Sequence, residues 1–133
     1  MGDILLKRAY EAPSDDDGTR VLVDRLWPRG VAKDRLRAEW LRGIAPSPPL
    51  RKAWHAAPAE RWGEFAARYR DELIRSDFGS AAGTPDEAES KERAEAIERL
   101  RSLAGAGRLT LVYAAKDTAH NHAAVLRDFL LHG

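Results

Sequence analysis

The chain has 133 residues, 44% of them apolar, with 22 basic and 21 acidic side chains for a net charge of +1 and no cysteine. That length suits a single domain spanning residues 1–133, and the charge balance argues against a protein whose main task is to coat nucleic acid. The absence of cysteine excludes disulfides, thiolate metal sites and a thiol nucleophile. No segment resembles a signal peptide, since Ile4–Leu6 is too short for an apolar core, and no apolar run is long enough to span a membrane. A cytoplasmic location with no membrane partner is the expectation. Among the basic residues only Lys7, Lys33, Lys52, Lys91 and Lys116 are lysines. Arginine suits bidentate contacts to carboxylate or phosphate, although GC-rich coding sequence produces the same bias.

In chain order, DILLKRAY from Asp3 predicts a first strand. Pro13 and the Asp15–Asp17 cluster before Gly18 mark a turn. RVLVDRLW from Arg20 predicts a second strand, apolar on both faces through Leu22 on one and Val21 and Val23 on the other, as in a doubly covered sheet. AKDRLRAEWLRGI from Ala32 predicts a helix with Leu36, Trp40, Leu41 and Ile44 on one face, ended by APSPPL. Pro58 suits a first helical position. Trp62, Phe65, Tyr69 and Leu73 then recur at helical steps, with Glu64 and Arg68 spaced as a surface pair. DFGSAAG reads as a loop. TPDE predicts a helix start with Thr84 as cap, Pro85 first and Glu87 reaching back, the helix ending near Leu103–Ala104 before Gly105. RLTLVYAA predicts a third strand, KDTAHNH a loop, and AAVLRDFLL a closing helix.

This order of β, β, three helices, β and α predicts an α/β fold: a small, mostly parallel three-layer sheet of Rossmann-like or flavodoxin-like type, flanked by helices. The last two strands, separated by helices, are expected to be parallel. The link between the first two is about ten residues, near the lower limit for a crossover. A wide antiparallel connection is therefore open there.

Ligands of open parallel sheets bind beyond the carboxyl ends of the strands. Two such ends are legible, one running from Asp24 to Gly30 and the other from Lys116 to His122. If the strands are neighbours, both loops open on one cleft beside a helix N-terminus. Arg25 and Arg29 would hold an anion there, with Lys116, Asp117 and the backbone near Asn121. His120 or His122 would transfer a proton, and Asp24 or Asp117 would orient it. Plainer readings stand beside these. Asp24 and Arg25 can form a structural ion pair, Trp27 and Pro28 can cover the core, and Asn121 can cap the helix. The spacing of His120 and His122 permits metal binding with Asp117, but no matched cluster exists elsewhere, and no metal is expected. The cofactor is unknown. Ser47 and Thr118 are the most nucleophile-like hydroxyls, and Ser47 suits a turn or cap. Trp40, Trp54 and Trp62 lie on helical stripes and read as core.

The segments DGTRVLVDRLWPRGVAKDRL, EWLRGIAPSPPLRKAW, RWGEFAARYRDEL and LTLVYAAKDTAHNHAAVL, in this order, resemble the DUF488 family in its short YeaO-like branch. The resemblance runs from Lys7 to about Phe129, in a family named for its unknown function. Longer members carry a strand ending in Asp-Val-Arg with a following proline and arginine, which Asp24, Arg25, Pro28 and Arg29 resemble. They also carry a late strand followed by Cys-His-Arg at a helix start. Ala119–Ala123 resembles that region but lacks the cysteine and the arginine, so the thiol chemistry of those relatives does not carry over. The resemblance implies a pairing of the same two strand-end loops.

Three functional expectations follow. The first is a protein binding an anionic small molecule, phosphate-bearing or nucleotide-like, with or without catalysis. The second is a nucleic-acid-associated or regulatory binding module using Arg61, Arg68, Arg70 and Arg75. The third is an interaction protein that dimerises through the aromatic helix stripe, the alternative being a monomer.

Overall fold

The computed structural model describes residues 2–57, 59–79 and 83–132. Pro58 and the middle of the expected loop, residues 80–82, lie outside them. The sheet is built on the strand Leu109–Tyr113 (β4), LTLVY, in which all five residues are buried. A strand that is apolar on both faces belongs at the centre of a parallel sheet, and β4 sits there. Ile4–Arg8 (β1) and Thr19–Leu22 (β2) flank it, and the two-residue Glu39–Trp40 (β3) closes the far edge, giving the order β1-β4-β2-β3 with every pair parallel. The register sets Ile4 and Thr19 beside Leu109, and Leu22 beside Val112.

The first two strands are therefore parallel to one another with β4 between them. The antiparallel connection left open by the short link does not occur. The link from Ala9 to Gly18 crosses one face of the sheet in a tight 3-10 turn at Asp15–Asp17, capped by Ser14. Gly18 closes it at φ 65°, where a Cβ would collide with the Arg108 carbonyl oxygen. Asp17 anchors the link. Its buried carboxylate accepts from Lys7 (3.1 Å) and Arg20 (2.7 Å), while its carbonyl accepts from the Thr110 hydroxyl (2.6 Å). Burial opposes ionisation of Asp17, but the Ser14 N–H, Lys7 and Arg20 outweigh it and hold the carboxyl below its usual range.

The two faces are unequal. On one, Val21, Leu109, Leu111 and Tyr113 meet the buried sides of four helices: Pro48–Ala56 (α2), Trp62–Asp77 (α3), Glu87–Ala106 (α4) and His122–His132 (α5). On the other, among the described residues, Leu22 and Val112 meet only Ala9, Leu36 and a partly buried fringe that includes Trp27 and Trp40. No helix among the described residues is long and apolar enough to cross a membrane.

Ala32–Ile44 is not one helix. Lys33–Leu36 (α1) makes a single turn, stopped by Arg37 at φ 51° in the left-handed region. The chain then pairs as β3 and turns again in 3-10 form at Arg42–Ile44. Leu36 and Trp40 pack on the thin face, whereas Ile44 enters the main core. The segment has to round the sheet edge, and no single helical stripe serves both faces. The prolines of APSPPL start a helix rather than end one. Ser47 caps α2, its hydroxyl accepting from the Leu50 N–H (3.4 Å), with Pro48 in the first turn.

Two smaller expectations shift. α4 begins at Glu87, whose carboxylate accepts from the Gly83 N–H (3.2 Å), and it runs on to Ala106. Glu64 takes a two-pronged bond from Arg61 (2.8 and 2.6 Å), and Arg68 lies over the Phe65 ring. The stripe of α3 forms as expected, with Phe65, Tyr69 and Leu73 buried. The Tyr69 hydroxyl donates to the Ile44 carbonyl at 2.6 Å.

Candidate functional site

Because β2 and β4 are parallel neighbours, their carboxyl ends emerge side by side. The Val23 N–H still bonds the Val112 carbonyl (3.0 Å), and the chains diverge after it. Asp24 ties them together. One carboxylate oxygen accepts the Ala114 N–H at 3.0 Å, and the other lies 3.2 Å from His122 Nε2 at the start of α5. The same nitrogen lies 3.1 Å from the Val23 carbonyl. Both neighbours are acceptors, so Nε2 is assigned the proton and Nδ1 is the nitrogen able to accept one.

Arg25 turns the other way. It does not pair with Asp24 but approaches Glu89 of α4 at 3.6 Å, and its Nε and Nη2 are buried without a hydrogen-bond acceptor. Beyond it the loop borders a cleft of about 440 Å³. α2 forms the opposite wall. Arg51, Trp54 and His55 lie three and four residues apart, which brings them to one side of a helix, and all three line the cleft. The charge of the lining is three guanidiniums, Arg25, Arg29 and Arg51, against the one carboxylate of Asp24. The Arg29 and Arg51 side chains have no hydrogen-bond or ion-pair partner among the described residues. Several other arginines meet carboxylates directly, as Arg99 does at Glu39 and Arg101 at Asp77.

The second loop uses its polar groups on itself. The Asp117 carboxylate accepts the His120 and Ala119 N–H groups, both at 2.9 Å, and these bonds hold its pKa below the usual 3.8. Asn121 is buried. Its amide donates to the Asp117 carbonyl, and its oxygen accepts the Ala124 N–H at 2.9 Å, a helix cap. His120 faces away from Asp24 and stacks on Trp62, with ring centroids 4.9 Å apart. Lys116 is exposed. Of the eight residues singled out from the sequence, Asp24, Arg25, Arg29 and His122 border the cleft, whereas Lys116, Asp117, His120 and Asn121 do not. The two histidines diverge, and among the described residues no group of three or more His, Asp or Glu could hold a metal ion. Ser47 is a cap, its N–H held by Glu72 at 3.0 Å, and Thr118 is exposed.

Residues 3–78 match the model of the inactive DUF488-N3 subclade, and residues 85–130 match that of the domain of unknown function DUF488. Uncharacterized protein YeaO of Escherichia coli K12 is 40% identical over 129 residues, 96% of each chain. Uncharacterized protein Rv3073c of Mycobacterium tuberculosis H37Rv is 40% identical over 128 residues, 96% of this chain and 92% of the relative. The chain belongs to the DUF488 family. Within that family it is YeaO-like. No solved structure matches it with significance.

In this DUF488 protein the Asp24-to-Arg29 segment forms one wall of the cleft, so the strand-end motif that carried the resemblance also borders the candidate site. The opposite wall escaped sequence reasoning. Arg51, Trp54 and His55 were legible as a helical triplet once Ser47 and Pro48 are taken as a helix start. The expectation of Ser47 as a turn or helix cap and of Trp54 as core carried no sign that this helix lines a cleft.

Proposed function

We propose that the cleft binds an anionic, phosphate-bearing small molecule and performs no chemistry on it. The observation that carries this reading is the pair of unpartnered guanidiniums, Arg29 and Arg51, in the walls of a cleft that holds a single carboxylate. Planar guanidinium forks match phosphate oxygens in two-pronged bonds. Three further points favour binding over catalysis. The lining holds no hydroxyl, thiol or lysine amine among the described residues. One oxygen of Asp24 is already taken by the Ala114 N–H. The family model matched by residues 3–78 is described as inactive.

A second reading rests on one distance. His122 Nε2 at 3.2 Å from Asp24 is the arrangement of an imidazole oriented by a carboxylate, and it supports proton transfer by His122 on a bound ligand. Incubating the protein with each ligand that binds and searching for product separates the two: turnover abolished in His122→Ala favours the enzyme. The nucleic-acid reading is weaker, because Arg61, Arg70 and Arg75 are engaged by Glu64, Asp128 and Asp71, and Arg68 lies over Phe65. The aromatic stripe is likewise unsuited to dimerisation, since most of it is buried in the core.

Thermal melting against a phosphate and metabolite panel tests the proposal. A ligand at about one hundred times its Kd adds roughly 2.7 kcal/mol, several degrees for a domain of this size. The Arg29→Ala/Arg51→Ala double variant should melt like the wild type and gain nothing from the ligand. A wild type indifferent to every anion in the panel sinks the reading.

A further inference from the structure

The cleft is larger and less polar than a bare phosphate requires. Its volume of about 440 Å³ lies in the range of pockets for small organic ligands, roughly 300–1,000 Å³. Much of its wall is apolar. Leu26, 58% exposed, adds an apolar side chain at its border.

The two cleft indoles differ. Trp27 has its N–H tied to the Val31 carbonyl at 2.6 Å and its ring against Trp40, so it is fixed and has no donor left. Trp54 is stacked on Phe65 at 5.9 Å and 18°, with Trp62 tilted beside it at 5.5 Å. Its ring is held in place by these contacts, yet it is only half-buried and lines the cleft, and its N–H has no partner among the described residues. Arg51 lies one helical turn before Trp54 on the same side of α2, so a cation and a flat ring with an unused donor stand next to each other.

From this juxtaposition we infer that the ligand is a nucleoside phosphate, its phosphate on Arg29 and Arg51 and its base stacked on Trp54. The inference rests on the anion-binding reading and adds the ring. A preformed aromatic face accepts any base and rewards a planar heterocycle over a sugar of equal charge. His55, one residue on and also lining the cleft without a partner among the described residues, supplies a further hydrogen-bonding edge.

Calorimetric titration of the full chain with inorganic phosphate, ribose 5-phosphate and the four common nucleoside 5′-monophosphates separates the two layers. The best nucleotide should bind at least about tenfold tighter than ribose 5-phosphate, the gain of one base–aromatic stack. Trp54→Leu should abolish that gap and leave ribose 5-phosphate within about twofold, while Trp54→Phe should keep most of it. If the wild type binds nucleotides and ribose 5-phosphate equally, the nucleoside inference falls and the anion cleft stands. If it binds none of the six, both fall. The wild-type comparison alone decides these outcomes should Trp54→Leu not fold.

Discussion

The loop after β2 and the loop after β4 leave adjacent parallel strands at one edge of the sheet, and both are rich in charge. The first leaves its cations poorly paired. Arg29, and Arg51 facing it from α2, find no acceptor among the described residues, and Arg25 is only loosely held by Glu89 at 3.6 Å. The second is closed on itself: Asp117 and Asn121 take up its backbone donors, and His120 packs on Trp62. Charge in a loop therefore says little about binding until its partners are counted. A polar group already hydrogen-bonded at home has little left for a ligand, whereas an unpaired guanidinium on a cleft wall retains its full capacity.

The largest expected effect comes from removing the unpaired cations. Each charge-assisted bond is worth about 1.5–3 kcal/mol, so Arg29→Ala with Arg51→Ala should weaken anion affinity by more than about a hundredfold. The unfolding free energy from urea titration should stay within about 0.5 kcal/mol of wild type, and a large loss of stability would mean these arginines hold the fold. Next is the clasp between the loops. Asp24→Ala strips the acceptor from the Ala114 N–H and the facing carboxylate from His122, which keeps the Val23 carbonyl, a cost of about 2 kcal/mol in urea unfolding. A neutral result would show that the two loops are not coupled through this carboxylate.

Asn121→Ala should cost about 1 kcal/mol of stability, the usual value of a helix cap, with phosphate affinity unchanged within about twofold. An affinity loss of tenfold or more would return the second loop to the binding site. The smallest effect is in acid. The Asp117 carboxyl is depressed below 3.8 by the His120 and Ala119 N–H groups. Its contribution is thus complete above the ordinary carboxylate range and fades as pH falls through the lower folded value. The protection of the Ala119 and His120 amides from exchange, relative to their intrinsic rates and followed by NMR, should fall only in that acid window. Because Asp117 is exposed, global stability should barely register the change.

How much was legible varies with the distance over which each feature is decided. The buried character of Val21–Val23 and of Leu109–Tyr113 is written in adjacent residues, and both became neighbouring strands. The stripe of Phe65, Tyr69 and Leu73 is equally local and appeared where its spacing placed it. The segment from Ala32 to Ile44 has a helical period too, but Leu36 and Ile44 belong to opposite faces of the sheet. Tertiary packing overrode the pattern. Half of the candidate site was found because parallel strands bring their ends together. The α2 half was missed because Trp54 was read as core, and local spacing does not tell a side chain that packs on the core from one that also borders a cleft.

Sequence alone determined that strands apolar on both faces would stack in parallel and deliver Asp24, Arg25 and Arg29 to one edge. Short-range patterns of polarity and turn chemistry suffice for that. Only the tertiary structure decided that β4 lies between β1 and β2, that Arg25 turns to Glu89 rather than Asp24, and that Trp54 borders a cleft as well as the core. Those choices depend on which groups from distant parts of the chain come within hydrogen-bonding or contact distance, and local spacing does not encode that.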